Sequence, residues 1–253
     1  MLQTHTKSLK LIAALVFSMG FCSLTFAQNS VELCLALDGS GSVSATDFDL
    51  QLEGYASAIE NSNIVPRNSS VSIIVVQFSS AAQLELGPVL IDGAATAQTL
   101  ANDIRNITQL GFLTDIASSI DECTSQFQYL SGFRQIIDIS TDGQDSSTVV
   151  TAADNAVAAG VDAINALGVG SGIDTTQLES LVRPQPASAP PEPGFVVTVT
   201  DFASFTPAIE AKIQAEVTGG GPATPVPAMM PFGLLVLILG VLALSVLTIN
   251  RRG

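Results

Sequence analysis

The chain has 253 residues, 47% of them hydrophobic and 13% charged, with 23 acidic side chains against 9 basic ones. A formal net charge of −14 repels polyanions, which excludes nucleic acid and anionic lipid surfaces as partners. The one histidine, His5, lies in the extreme N-terminal segment, so the remainder of the chain has no imidazole for a Ser-His-Asp triad, a zinc site or ordinary general-base work.

In chain order, Lys7 and Lys10 precede an apolar stretch from Leu11 to about Phe26 that closes on Thr25-Phe26-Ala27. A basic start, a short apolar core and a small-x-small end predict a secretory signal peptide over residues 1–27, cut after Ala27. Residues 28–217 then form one domain of ordinary size. This body holds every acidic residue, opposed only by Arg67, Arg105, Arg134, Arg183 and Lys212.

Within the body, short and nearly continuous apolar runs predict strands buried on both faces at Val31–Leu37, Val71–Phe78, Arg134–Ser140, Ala163–Val169 and Phe195–Thr200. Ala82–Ile91 alternates and suits a sheet edge. Between them, Phe48, Leu52, Tyr55 and Ile59 share one helical face in Thr46–Glu60, with Ser44 or Thr46 as cap. Further helices are expected at Ala94–Ile107, Thr114–Leu130, Ser147–Ala159, Thr175–Val182 and Ala203–Val217. Pro184–Gly194 reads as a long loop. Strands alternating with helices predict an α/β fold: a doubly wound, mostly parallel central sheet with helices on both faces.

Residues 218–228 (TGGGPATPVPA) read as a Pro/Gly-rich linker. An uncharged apolar segment follows over 229–250, long enough to cross the roughly 30 Å hydrocarbon core as one transmembrane helix. Residues 251–253 carry an arginine pair that marks a cytoplasmic end. This places the body outside the cytoplasm, in the cell envelope. The order of Pro-containing motif, apolar helix and arginine pair resembles the C-terminal sorting signals of Gram-negative bacteria, in which a membrane peptidase cleaves near the motif and passes the protein to the surface. A permanent single-pass anchor is the alternative.

Two cysteines, Cys34 and Cys123, remain in the body. In an oxidising compartment they form either a disulfide or two separate buried thiols, and the sequence leaves both open.

Ligands of such sheets bind beyond the carboxyl ends of the strands. Three segments end there: Asp38-Gly-Ser40-Gly-Ser42, the stretch LGFLTDIASSI with Thr114, and Ser140-Thr141-Asp142-Gly143. Asp38 brings a carboxylate to the strand mouth, and Gly39 and Gly41 let the loop bring the Ser40 and Ser42 hydroxyls beside it. Carboxylate and hydroxyl oxygens suit Mg²⁺ or Mn²⁺ rather than zinc. One loop cannot fill an octahedral shell, so Thr114 and Asp142 are the natural contributors from neighbouring strand ends. Asp138, on the same face of its strand as Asp142, is expected to serve a structural hydrogen bond. Lys212 falls in the last helix, far from the strand mouths. The serine loop lacks both the third glycine of a dinucleotide site and a Walker lysine.

The set Asp38, Ser40, Ser42, Thr114 and Asp142 resembles the metal-ion-dependent adhesion site (MIDAS) of von Willebrand factor type A domains. The similarity extends over about 190 residues, to the strand–DxSxS–helix opening, the ISTDG strand end and the closing FVVTVTDFASFTPAIEAKI. The body is most similar to a bacterial branch of these proteins. The resemblance implies a divalent cation with one open coordination position that captures an acidic group of a protein or polymer ligand, hence adhesion and no enzymatic activity. A membrane-anchored scaffold or assembly factor is the alternative, and a metal-dependent hydrolase the more distant one.

Overall fold

The computed structural model describes residues 30–143, 145 and 148–219. The expected signal peptide, the linker beyond Gly219, the membrane helix and the basic tail lie outside them. Among the described residues no helix is long and apolar enough to cross a membrane.

Six strands form one sheet: β1 (Ser30–Asp38), β2 (Val71–Phe78), β3 (Ala82–Leu90), β4 (Phe133–Thr141), β5 (Ala163–Val169) and β6 (Val196–Val199). Their order is β3-β2-β1-β4-β5-β6, all parallel except β3, which pairs antiparallel with β2 at the edge. The helices are α1 (Ala45–Glu60), α2 (Ala94–Arg105), α3 (Ile116–Gln126), α4 (Val149–Ala159), α5 (Thr175–Leu181) and α6 (Phe205–Thr218), with a short 3₁₀ turn at Phe202–Ser204.

Strand β1 shows why the sheet is covered on both sides. Its alternate residues Val31, Leu33, Leu35 and Leu37 point into a core shared with α1, α2 and α6. Cys34 and Ala36, in between, point into a second core under α3, α4 and α5. A strand with two buried faces has no polar face to show, which is the continuous apolar pattern of its sequence. Ser44 caps α1, its hydroxyl accepting from Asp47 N at 3.2 Å. Phe48, Leu52, Tyr55 and Ile59 form the buried face of that helix, as their spacing predicts.

Helix α3 is shorter than its expected span of Thr114–Leu130. At its start Asp115 is the cap, accepting from Ser118 N at 2.9 Å, so Thr114 stands free of the helix. At its end the buried carboxylate of Glu32 accepts from Gln128 N (3.2 Å) and Leu130 N (3.1 Å), drawing that segment out of helical pairing. Cys34 of β1 and Cys123 of α3 form a disulfide with Cα atoms 5.8 Å apart, which resolves the alternatives the sequence left open.

Candidate metal centre

The candidate site stands where β1 and β4, the two central strands, end side by side. Asp38 closes β1, and its Oδ1 accepts from Ser40 N at 2.8 Å, folding the loop back on its own strand. The two loop glycines are needed for close approach. A Cβ on Gly39 would lie 1.9 Å from Gln77 Oε1, and one on Gly41 would lie 3.0 Å from the carbonyl oxygen of Phe112. Gly41 N donates to that same carbonyl at 2.8 Å, while Gly39 O accepts from Gly111 N at 2.7 Å.

The loop that carries Thr114 is thus pinned to the serine loop. Gln109 Nε2 donates to Ser40 O (3.0 Å) and Val43 O (2.8 Å). Gln77 Oε1 accepts from Leu110 N at 2.8 Å.

From the other side, Ser42 Oγ donates to Asp142 Oδ1 at 2.7 Å, and the Ser40 and Ser42 hydroxyl oxygens are 3.0 Å apart. Thr114 joins them over Gly143, where an added Cβ would meet Thr114 Oγ1 at 3.2 Å and Ser42 Oγ at 3.5 Å. The structure therefore brings Asp38, Ser40, Ser42, Thr114 and Asp142 to one place. Asp38 and Ser40 are buried, Thr114 and Asp142 half-buried and Ser42 exposed, so the cluster opens to solvent on one side. Phe112 and Leu113, 82% and 74% exposed, form an apolar rim next to Thr114.

Four further residues support the cluster. Thr141 Oγ1 donates to Asp38 Oδ2 at 2.5 Å and accepts from Gly143 N at 3.1 Å. Gln51, on α1, donates through Nε2 to Asp38 O (2.9 Å) and accepts from Ser140 Oγ (2.5 Å), tying the ends of β1 and β4 together. Gln77 supports the 108–110 backbone. Asp145 accepts from Ile116 N at 2.6 Å and so docks the start of α3 against the loop after β4. Position within or just after the strand-ending segment Ser140-Thr141-Asp142-Gly143 was the available signal for Thr141 and Asp145. Nothing in the sequence marks Gln51 or Gln77.

Burial raises the Asp38 carboxyl above the ordinary aspartate range, against hydrogen bonds from Ser40 and Thr141, and the Asp142 charge raises it further. Burial also raises Asp142. Among the described residues no lysine or arginine pairs with either carboxylate. Nor do any three His, Cys, Asp or Glu side chains cluster there, which leaves a hydroxyl-rich hard-oxygen set. Two carboxylates without a cationic partner, three converging hydroxyls and a glycine whose missing Cβ leaves the cradle open fit a small divalent cation.

A groove of about 360 Å³ runs from Asp142 past Asp47, Gly170, Asp201 and Phe202. A cavity of about 460 Å³ between β3 and the loop after α2 holds none of the five residues.

Asp138 does not join the cluster. Tyr55 OH donates to its Oδ1 at 2.8 Å, and Lys212 Nζ stands 2.7 Å from its Oδ2. The expected structural role is borne out, with a buried lysine as a partner the sequence did not indicate.

This sheet order, with oxygen-bearing side chains gathered at its central switch point, is a von Willebrand factor type A-like fold. The chain belongs to the family described as "Protein of unknown function (DUF1194)", whose match spans residues 28–221. Its sequence matches no curated protein.

Similar solved structures include proximal thread matrix protein 1 of the mussel byssus with a zinc-occupied MIDAS motif. That structure has 16% identity and a TM-score of 0.61, over 75% of this chain and 48% of that one. The protein BatB of Bacteroides thetaiotaomicron has 18% identity and a TM-score of 0.58, over 76% of this chain and 100% of that one. Manganese-loaded TRAP protein of Plasmodium vivax has 18% identity and a TM-score of 0.54, over 74% of each chain. At these identities the likeness is one of fold, and this chain spans about half the length of the mussel protein.

Gly143→Ala tests the cradle. Its backbone does not lie in the left-handed region, so the chain is expected to fold normally. The added methyl crowds Thr114 and Ser42, and divalent-cation affinity is expected to fall about tenfold or more, read by titration calorimetry.

Proposed function

We propose that this chain is a cell-envelope binding module of the von Willebrand factor type A class. It holds Mg²⁺ or Mn²⁺ through Asp38, Ser40, Ser42, Thr114 and Asp142 and captures an acidic group of a protein or polymer ligand. The observation that carries the reading is the convergence of three hydroxyls and two uncompensated carboxylates from three separate loops. Bound there, the cation supplies a Lewis-acidic position for an oxygen anion.

The chain's own residues set the rest. Neutral serine and threonine hydroxyls leave positive charge on the site, where further carboxylates would have cancelled it. Thr141 and the Ser40 amide hold the buried Asp38 in place. Phe112 and Leu113 offer apolar contact beside the captured group. The mussel and Plasmodium relatives, described with zinc and manganese, support a divalent cation in this fold. The Cys34–Cys123 bridge supports an oxidising compartment and so export. The N-terminal segment and the apolar C-terminal stretch support the envelope location, whether the tail is retained as an anchor or removed by a sorting peptidase.

The test is calorimetric titration of Mg²⁺ and Mn²⁺ into the metal-stripped full chain, alone and with acidic peptides. Saturable binding at one site, and peptide capture abolished by EDTA, are expected. Absence of cation binding even with acidic peptide present would overturn the reading.

A further inference from the structure

A second cluster of ionisable groups lies deeper, between the sheet and α6, and the metal site does not use it. Asp138 of β4 and Asn165 of β5 are paired neighbours in the sheet. Lys212 and Glu216, one turn apart on α6, come down onto them, and Tyr55 reaches in from α1. All five residues are at most 2% exposed. Lys212 Nζ is 2.7 Å from Asp138 Oδ2 and 2.8 Å from Glu216 Oε1, which also accepts from Asn165 Nδ2 at 3.0 Å. The rings of Phe195, 5.9 Å from Nζ, and of Phe205, 5.6 Å from Tyr55, close the cluster off.

The two oxygens of Asp138 are not equivalent. Oδ1 is held by the Tyr55 hydroxyl, while Oδ2 has no hydrogen-bond partner although Nζ is so close. An ion pair at that distance normally has charge-assisted hydrogen-bond geometry. Here the nitrogen sits against the carboxyl group off the donor–acceptor direction. Glu216 Oε2 is unpartnered as well. Two buried carboxyls around one ammonium would also leave net negative charge in a dry interior, which is costly. Burial, with the Asp138 charge beside it, pushes Glu216 well above the ordinary range and so towards its neutral acid form.

We propose that Lys212 and Asp138 condense to an intramolecular amide, with Glu216 as the acid–base group and Tyr55 as the donor to the developing oxyanion. The ammonium first passes a proton to the Asp138 carboxylate. The free amine then attacks Cγ, forming the N–C bond, while Tyr55 stays on Oδ1. Glu216 gives its proton to the Oδ2 hydroxyl, which leaves as water when the C–O bond breaks. The nitrogen's surplus proton returns to Glu216. Atoms and charge balance, and no oxidant or activating nucleotide is needed. Fixing the amine against the carbon supplies an effective molarity of about 10⁵–10⁸ M, the source of rate for an uncoupled condensation.

The product removes the lysine charge and the unpartnered oxygen together, and it bonds α6 covalently to the centre of the sheet. Force applied through the segment after Gly219 would then pass into β4 without peeling α6 away.

The measurement is the intact mass of the full chain after reduction of its disulfide, with peptide mapping, beside the Glu216→Gln variant. The wild type is expected to be one water lighter than its sequence, with a branched peptide joining the segments that carry Asp138 and Lys212. Glu216→Gln is expected at full mass with an unchanged circular dichroism spectrum. A wild-type chain at full mass overturns the proposal. So does a water loss that maps to succinimide at Asp38-Gly39, Asp92-Gly93 or Asp142-Gly143. A Glu216→Gln chain that cross-links as the wild type does overturns the role of Glu216. The metal site plays no part in any of these outcomes.

Discussion

Replacing Cys34 and Cys123 together by alanine is expected to lower the unfolding free energy by about 4–5 kcal/mol, the chain-entropy value for a loop of this size. The bridge closes 89 residues of sequence separation, so its loss greatly enlarges the set of conformations open to the unfolded chain. Both cysteines are fully buried, and the shorter side chains leave the space of two sulfurs in the core under α3. Against a typical stability of about 5–15 kcal/mol, that is about a quarter of the total or more. The urea midpoint of the wild type should fall to about that of the double variant on adding reductant, and the double variant should be indifferent to reductant. Equal midpoints for wild type and variant would show that the bridge constrains nothing in the unfolded state.

The bridge also has a local consequence. It fastens α3 to β1, and these two elements begin or end beside Thr114 and Asp38. Its removal should therefore weaken cation binding as well as stability, since Asp38 closes β1 and Thr114 lies just before α3.

Strands β2 and β5 stand at their sequence-predicted limits, Val71–Phe78 and Ala163–Val169, because two-sided burial is written as an unbroken apolar run. Four of the five candidate ligands were legible for a related reason: DxSxS and TDG are local patterns whose geometry follows from spacing, while Thr114 lies in a separate loop segment. What sequence could not show is settled by contacts far apart in the chain. Helix α3 stops at Gln126 because Glu32, 96 residues before Gln128, takes that residue's backbone N–H. Thr141 stands in a strand-end segment that the sequence singles out, but its partner Asp38 lies 103 residues away. Lys212 reads only as a residue of the last helix, since nothing near it in sequence announces Asp138. Cys34 and Cys123 fall on buried faces whether bridged or free, so pattern alone could not choose between the two.

Asp38→Asn is expected to abolish the response to Mg²⁺ while stabilising the metal-free protein at neutral pH. In the wild type, cation at a hundred times its dissociation constant should stabilise the fold by about 2.7 kcal/mol, and the variant should show none of this. The metal-free effect has the opposite sign because burial raises the Asp38 carboxyl. A carboxyl whose folded value lies above its unfolded value binds protons more tightly when folded. Its contribution is fully present below the unfolded value and is lost as pH rises through the folded one. In the metal-free wild type the Asp38 contribution should therefore fall from acid towards neutral pH, against the opposite contributions of the lowered Glu53 and Glu60. Asparagine, which never charges, should remove that fall and leave the contribution of the half-buried Asp142 in place. Its side-chain oxygen can keep the bond from Ser40 N, and its amide can donate to Thr141 Oγ1 where Asp38 now accepts. Cation binding requires the ionised carboxylates, so affinity should rise with pH over the range in which the Asp38 contribution falls. Thermal unfolding of both proteins across that range, with Mg²⁺ and with EDTA, reads the two effects together. A variant less stable than the wild type in EDTA at neutral pH would mean that Asp38 is held charged without metal. The site would then be a structural capping network and not a cation cradle.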